Sequence, residues 1–178
     1  MGNWIFVQIF RWLFYESKYL KNEYFKKISS PGWQWAACDI SHRLCTGKHW
    51  NIKWPVSPYI DCTENIVFHE EDINNFNGSG NYYQAFDAKI VIGKGTYIAK
   101  NVGIITSNHD CNDLKKHQEG KIVVLGDECW IGMNSIILPG IKLGNKTIVG
   151  AGSVVTKSFE DGHCVIAGNP AQIIKKLD

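Results

Sequence analysis

The sequence lacks an apolar run long enough to cross a bilayer where one would be looked for first. The N-terminal stretch Trp4 to Tyr15 falls short of the roughly 20 residues a spanning helix needs, and Arg11 interrupts it. A secretory leader is not expected, because no basic residue precedes the stretch and no small-residue cleavage site closely follows it. Gly2 opens no myristoylation signal, since Phe6 stands where Ser or Thr is required. The six cysteines (38, 45, 62, 111, 129 and 164) form no C-x-x-C pair, which speaks against a zinc ribbon. Long basic runs are missing too. Lys and Arg are scattered and the formal net charge is +2. Nucleic acid is therefore not expected as a partner, because duplex binding gathers many phosphate contacts on one surface.

What is present fits one compact domain with a modest extension. The chain has 178 residues, and 44% hydrophobic content supplies a core. The cysteines are expected as reduced thiols in the cytoplasm, each a small buried hydrophobe. Cys111 is singled out because it lies two residues after His109. Near the N-terminus, Ile5, Ile9 and Trp12, and Phe6, Phe10 and Leu13, recur at helical spacings. Two roles stay open for that segment. It packs on its own protein or a second subunit, or it lies in a membrane interface with Lys18, Lys21, Lys26 and Lys27 near anionic lipid.

The dominant pattern is a six-residue period. Leu125, Ile131, Ile137, Leu143, Val149 and Val155 follow one another at that step, and Gly follows four of them, at 126, 132, 144 and 150. Ile92, Ile98 and Ile104 keep the same step upstream. A helix repeats near 3.6 residues and a half-buried strand near 2, so neither accounts for it. Short strands joined by tight corners do, each contributing one inward aliphatic. With three hexads to a coil, residues 18 apart stack. Leu125 is then predicted against Leu143, Ile131 against Val149, and Ile137 against Val155. Between Ile104 and Leu125 the step is 21, so residues 108–121 are predicted to leave the coil as a polar loop. Long loops on rigid scaffolds frequently carry function.

From about Tyr82 to Lys175 the chain resembles the hexapeptide-repeat acyltransferases. The likeness is to the branch of maltose, galactoside and nodulation acetyltransferases and polysaccharide O-acetyltransferases. It is carried, in order, by IVIGKGTYIAKNVGIITSNHD, by VVLGDECWIGMNSIILPGIKLGNKTIVGAGSVVTKSF and by IAGNPAQIIKKL. The resemblance implies an all-β fold, a left-handed parallel β-helix, expected over 51–168; residues 1–50, outside the match, are expected as an N-terminal helical or irregular extension and 169–178 as a C-terminal tail. It also implies a homotrimer whose active sites lie between neighbouring helices.

The same resemblance implies a site. His109 in the NHD motif matches the catalytic histidine, whose unperturbed pKa near neutrality suits a general base. Asn108 and Asp110 flank it as candidate supports. Acetyl-CoA is the implied donor, with no metal. Its contacts fall on Trp130, Gly132, Met133, Gly150, Ala151, Thr156, Lys157, Gln172 and Lys175. Met133 and Ala151 are 18 apart and should share a corner, with Gly132 and Gly150 keeping a groove open. Gln172 stands where some relatives carry Arg. Tyr83, Gln84, Asp87 and His117 are candidates for holding the acceptor.

The expected activity is acetyl transfer to a sugar hydroxyl, in bacterial surface polysaccharide synthesis, in the cytoplasm or at the inner face of the membrane. Rival readings are N-acetylation of an amino sugar, acetylation of an antibiotic, and a non-catalytic β-helix scaffold. A γ-class carbonic anhydrase needs three histidines about zinc, and His109 and His117 are eight apart with no third nearby. A covalent route through Cys111 would show an acetyl burst with donor alone.

Overall fold

The computed structural model describes residues 13–27, 29–57, 60, 63–78 and 80–178. The segment Trp4 to Trp12, where apolar helical spacing is densest, lies outside the described residues. The chain divides into two compact units, Met1–Pro58 and Tyr59–Asp178. Among the described helices, none is long and apolar enough to cross a membrane.

The first unit is built on helix α1 (Pro31–Thr46). Pro31 opens it where a missing N–H costs nothing, and Gly47 closes it at φ 70° while its N–H bonds the Arg43 carbonyl. Gly32, Trp35, Ala36, Asp39, Ile40 and Arg43 form the buried face. Arg43 is 1% exposed and fully engaged. It pairs with Asp39 at 2.8 Å and donates to the carbonyls of His49 (2.6 Å), Ile52 (2.7 Å) and Trp54 (2.8 Å). The Tyr15 hydroxyl donates to the same Asp39 oxygen at 2.7 Å. Burial beside that carboxylate pushes the Tyr15 hydroxyl well above its usual range.

The second unit contains thirteen described strands: β1 (Ile66–Val67), β2 (Tyr82–Gln84), β3 (Ile90–Ile92), β4 (Tyr97–Ile98), β5 (Gly103–Ile105), β6 (Val123–Leu125), β7 (Trp130–Ile131), β8 (Ile136–Ile137), β9 (Lys142–Leu143), β10 (Thr147–Val149), β11 (Val154–Val155), β12 (Cys164–Gly168) and β13 (Ala171–Lys176). They form three sheets. The first face holds β4, β7, β10, β12 and β13, the second β2, β5, β8 and β11, and the third β1, β3, β6 and β9. Each coil therefore runs from the first face to the second to the third, and pairing is parallel throughout except that β13 returns antiparallel on β12. The residues expected as a C-terminal tail thus include a paired strand.

The predicted stacking is found. Leu125 pairs with Leu143, Ile131 with Val149, and Ile137 with Val155. The upstream aliphatics join the same ladders across the loop: Ile92 against Leu125, Ile98 against Ile131, and Ile104 against Ile137. A second hexad position emerges at the corners. Thr96, Val102, Cys129, Ser135, Ile141, Thr147 and Ser153, each two residues before an inward aliphatic where one follows, are all buried. The small polar ones satisfy corner carbonyls, as Ser135 and Ser153 both do on Gly150 (3.0 and 2.6 Å). The turn itself sits one residue earlier. Gly95, Asn101, Glu128, Asn134, Gly140, Lys146 and Gly152 all have positive φ, so the period is written in the backbone as well as in the core.

Candidate active site

The expected loop leaves the second face after β5 and rejoins the third at β6. Its root is stitched to the coil. Gln84 is 8% exposed, and its Oε1 accepts from the backbone N–H groups of Thr106 (3.3 Å) and Ser107 (3.2 Å). The Ser107 hydroxyl donates to the Gln118 carbonyl at 2.7 Å. The loop then folds on itself. Gln118 N–H bonds the Asn108 carbonyl (2.8 Å), Asp110 N–H bonds the Lys116 carbonyl (2.9 Å), and His109 bridges antiparallel to His117.

His109 is exposed at this exit. Its Nδ1 lies 2.8 Å from the Leu114 carbonyl. A carbonyl only accepts, so the proton of the neutral ring sits on Nδ1 and the Nε2 lone pair faces outward chemistry. The partner of the ring is thus a main-chain oxygen. Neither flanking candidate bonds it: Asp110 Oδ1 accepts from the N–H groups of Asn112 (2.7 Å) and Asp113 (3.3 Å), shaping the turn, and Asn108 contributes its carbonyl to Gln118. The rings of His109 and His117 lie 4.5 Å apart, tilted by 33°.

Of the acceptor candidates, Asp87 and His117 are exposed, while Gln84 and Tyr83 are not. Tyr83 is fully buried because it pairs with Ile104 and occupies the inward rung of the second face. Its hydroxyl donates to the Asn75 carbonyl and accepts from Asn81, both at 3.1 Å, and burial pushes it well above its usual range. Tyr83 is therefore a core residue, and Gln84 a root for the loop.

The residues expected to meet the donor fall into two neighbouring sets. Met133 and Ala151 share the corner between first and second faces, as predicted, joined by a Gly152 N–H to Met133 carbonyl bond of 2.8 Å. Both are exposed, and so is Trp130 beside them on the first face. Gly132 and Gly150 have a different reason for being glycine. A Cβ on Gly132 would stand 2.6 Å from the Val149 carbonyl and the Ala151 nitrogen, and one on Gly150 2.9 Å from the Ala167 Cβ. They permit coils to stack and do not widen a groove. Thr156 and Lys157 follow β11 at the corner between second and third faces, and the Lys157 ammonium donates to Gln172 Oε1 at 2.8 Å. Lys175 is exposed on β13. Below lies a cavity of about 560 Å³, lined in part by Lys157, His163, Ile173 and Lys176. Within one chain, His109 and the Met133–Ala151 corner flank opposite edges of the second face. Among the described residues no group of His, Cys, Asp or Glu side chains could hold a metal.

Residues 122–157 match the family described as "Bacterial transferase hexapeptide (six repeats)". A Saccharomyces cerevisiae protein whose name makes it an unproven acetyltransferase is 36% identical over 123 residues, which is 67% of this chain and 60% of the relative. The galactoside O-acetyltransferase of Escherichia coli is 32% identical over 114 residues, 59% of this chain and 56% of that one. A solved galactoside acetyltransferase in complex with coenzyme A superposes with a TM-score of 0.50 at 26% identity, covering 58% of each chain. The chain spans about three fifths of the length of these relatives. Its fold is the left-handed parallel β-helix that the resemblance implied.

Proposed function

The chain's kinship is with the hexapeptide-repeat acyltransferases, and from that premise we propose that it moves the acetyl group of acetyl-CoA to a sugar hydroxyl by direct transfer, with His109 as general base. The observation that carries this is the Nδ1 contact with the Leu114 carbonyl, which leaves Nε2 free to accept a proton. The substrate oxygen attacks the thioester carbon as its proton passes to Nε2. The C–S bond then breaks, and the departing sulfur recovers that proton. Trp130, Met133, Ala151, Thr156, Lys157, Gln172 and Lys175 hold the donor. The corner that carries Met133 and Ala151 is separated from His109 by the second face, which supports a homotrimer whose sites combine His109 of one copy with the donor corner of a neighbour. Outward-facing Tyr97 and Trp130 pair on the first face and are 65% and 56% exposed, an apolar surface suited to such an interface. Synthesis of a surface glycan completes the reading, with residues 1–12 as the membrane contact; Tyr15, Leu20 and Phe25 take the packing role instead, buried in the first unit with Tyr15 bonded to Asp39. Loss of vesicle co-sedimentation on deleting 1–12, which spares the buried Tyr15, Leu20 and Phe25, checks that last part.

The test is CoA release with a panel of mono- and disaccharides. His109→Ala should bind acetyl-CoA normally and lose about 10²- to 10⁴-fold in turnover. Full turnover in that variant would sink the base assignment. Mild alkali separates the two acceptor chemistries: an ester product is cleaved, whereas an amide, the product of amino-sugar N-acetylation, survives.

A further inference from the structure

One hydrogen bond does not orient an imidazole. The Leu114 carbonyl locates Nδ1 of His109 but leaves the ring plane free to tilt about that contact, and Leu114 itself is 72% exposed on the loop. A second contact bears on that plane: the ring of His117 lies 4.5 Å away, tilted by 33°. His117 in turn meets the ring of Phe86 nearly edge-on, with centroids 5.9 Å apart and planes at 78°, a favourable aromatic arrangement. Phe86 is half-buried and belongs to the coil wall just after β2. Its backbone is pinned: Asn65 Nδ2 donates to the carbonyls of Ala85 (2.9 Å) and Phe86 (2.8 Å). A continuous series of ring contacts therefore runs from the β-helix, through Phe86 and His117, to the exposed histidine.

We propose that Phe86 and His117 are positioning residues, which hold the His109 ring in its Nδ1–H, Nε2-free form and transmit the rigidity of the coil to a side chain on a projecting loop. This rests on the reading of His109 as base and assigns His117 a place behind the base instead of against the acceptor. Misplacing a reacting group by about 1 Å costs on the order of 10²-fold in rate, so a series of contacts of this kind has a catalytic consequence without touching substrate.

The test needs no known acceptor. Long-range ¹⁵N spectra of the imidazoles, recorded on the full chain above the histidine titration range, report which ring nitrogen carries the proton. Wild-type protein should show His109 as a single Nδ1–H tautomer. His117→Ala and Phe86→Leu should show a mixture with the Nε2–H form. His117→Phe, which restores a flat ring at the same place, should return the single tautomer. Unchanged melting temperatures establish that each variant folds. A single Nδ1–H tautomer persisting in both His117→Ala and Phe86→Leu, or absent from wild type, overturns the proposal. With a sugar that is turned over, His117→Ala should lower kcat by about 10- to 100-fold at unchanged KM for acetyl-CoA. An inert His109→Ala enzyme beside wild-type turnover in His117→Ala defeats the positioning role alone. Full turnover in His109→Ala defeats the base assignment whatever the tautomer.

Discussion

Burial sorts the thiols at the scale of single residues. Cys129 and Cys164 are 1% and 3% exposed, and burial pushes both thiols above their usual range, so little thiolate forms near neutrality. Cys38, Cys45 and Cys111 are exposed. Brief treatment with iodoacetamide followed by peptide mapping should label these three and spare Cys129 and Cys164 until the protein is unfolded. The same scale explains Tyr83. An aromatic residue ahead of the loop suggested an acceptor contact, but its register with Ile104 turned it inward. Corner residues make a second test. Lys146 has φ 55°, a conformation costing about 1–2 kcal/mol for an L-residue and nothing for Gly. Its 3.7 Å pair with Glu128 is exposed and contributes little. In urea unfolding, Lys146→Gly should lie within about 0.5 kcal/mol of wild type or above it, whereas β-branched Lys146→Val should fall by at least about 1 kcal/mol.

At the scale of the element, a coil is three short strands joined by corners, and at Gly132 the stacked coils leave no space for a side chain. Gly132→Ala would put a methyl within 2.6 Å of the backbone above it. Overpacking of that kind costs about 1–3 kcal/mol, which calorimetry should register as a lowered melting temperature. Much of this was legible beforehand. The step of six among Leu125, Ile131, Ile137, Leu143, Val149 and Val155 predicted the strand ladders pair by pair. The Thr, Ser and Cys residues at the corners carry the same period, and a count of small residues two places before each aliphatic would have found them. The inner structure of the loop was not legible. Its bridge between His109 and His117, and the Leu114 carbonyl beneath the ring, arise from hydrogen bonds between residues with no repeating signature.

For the whole molecule, the two compact units invite separate tests. Arg43→Ala would leave Asp39 buried without its cation, a change that typically costs about 3–5 kcal/mol. Hydrogen exchange should show α1 losing protection while the strands of the second unit keep theirs. If the proposed trimer forms, sedimentation should give about 60 kDa, three times the 20.1 kDa of the chain. A 20 kDa species at micromolar concentration would remove the shared-site arrangement.

The sequence by itself determined the scaffold, because a parallel coil repeats the same environment every six residues and so imposes the same residue choice each time. It also marked where that repetition breaks, and with it the loop and His109. Only the tertiary structure decided which residues near the break face one another. Phe86 and His117 are 31 positions apart, and no periodicity links them. Their contact exists because β2 and β5 are neighbours on one face, which brings the wall of one coil beneath the loop that leaves the next.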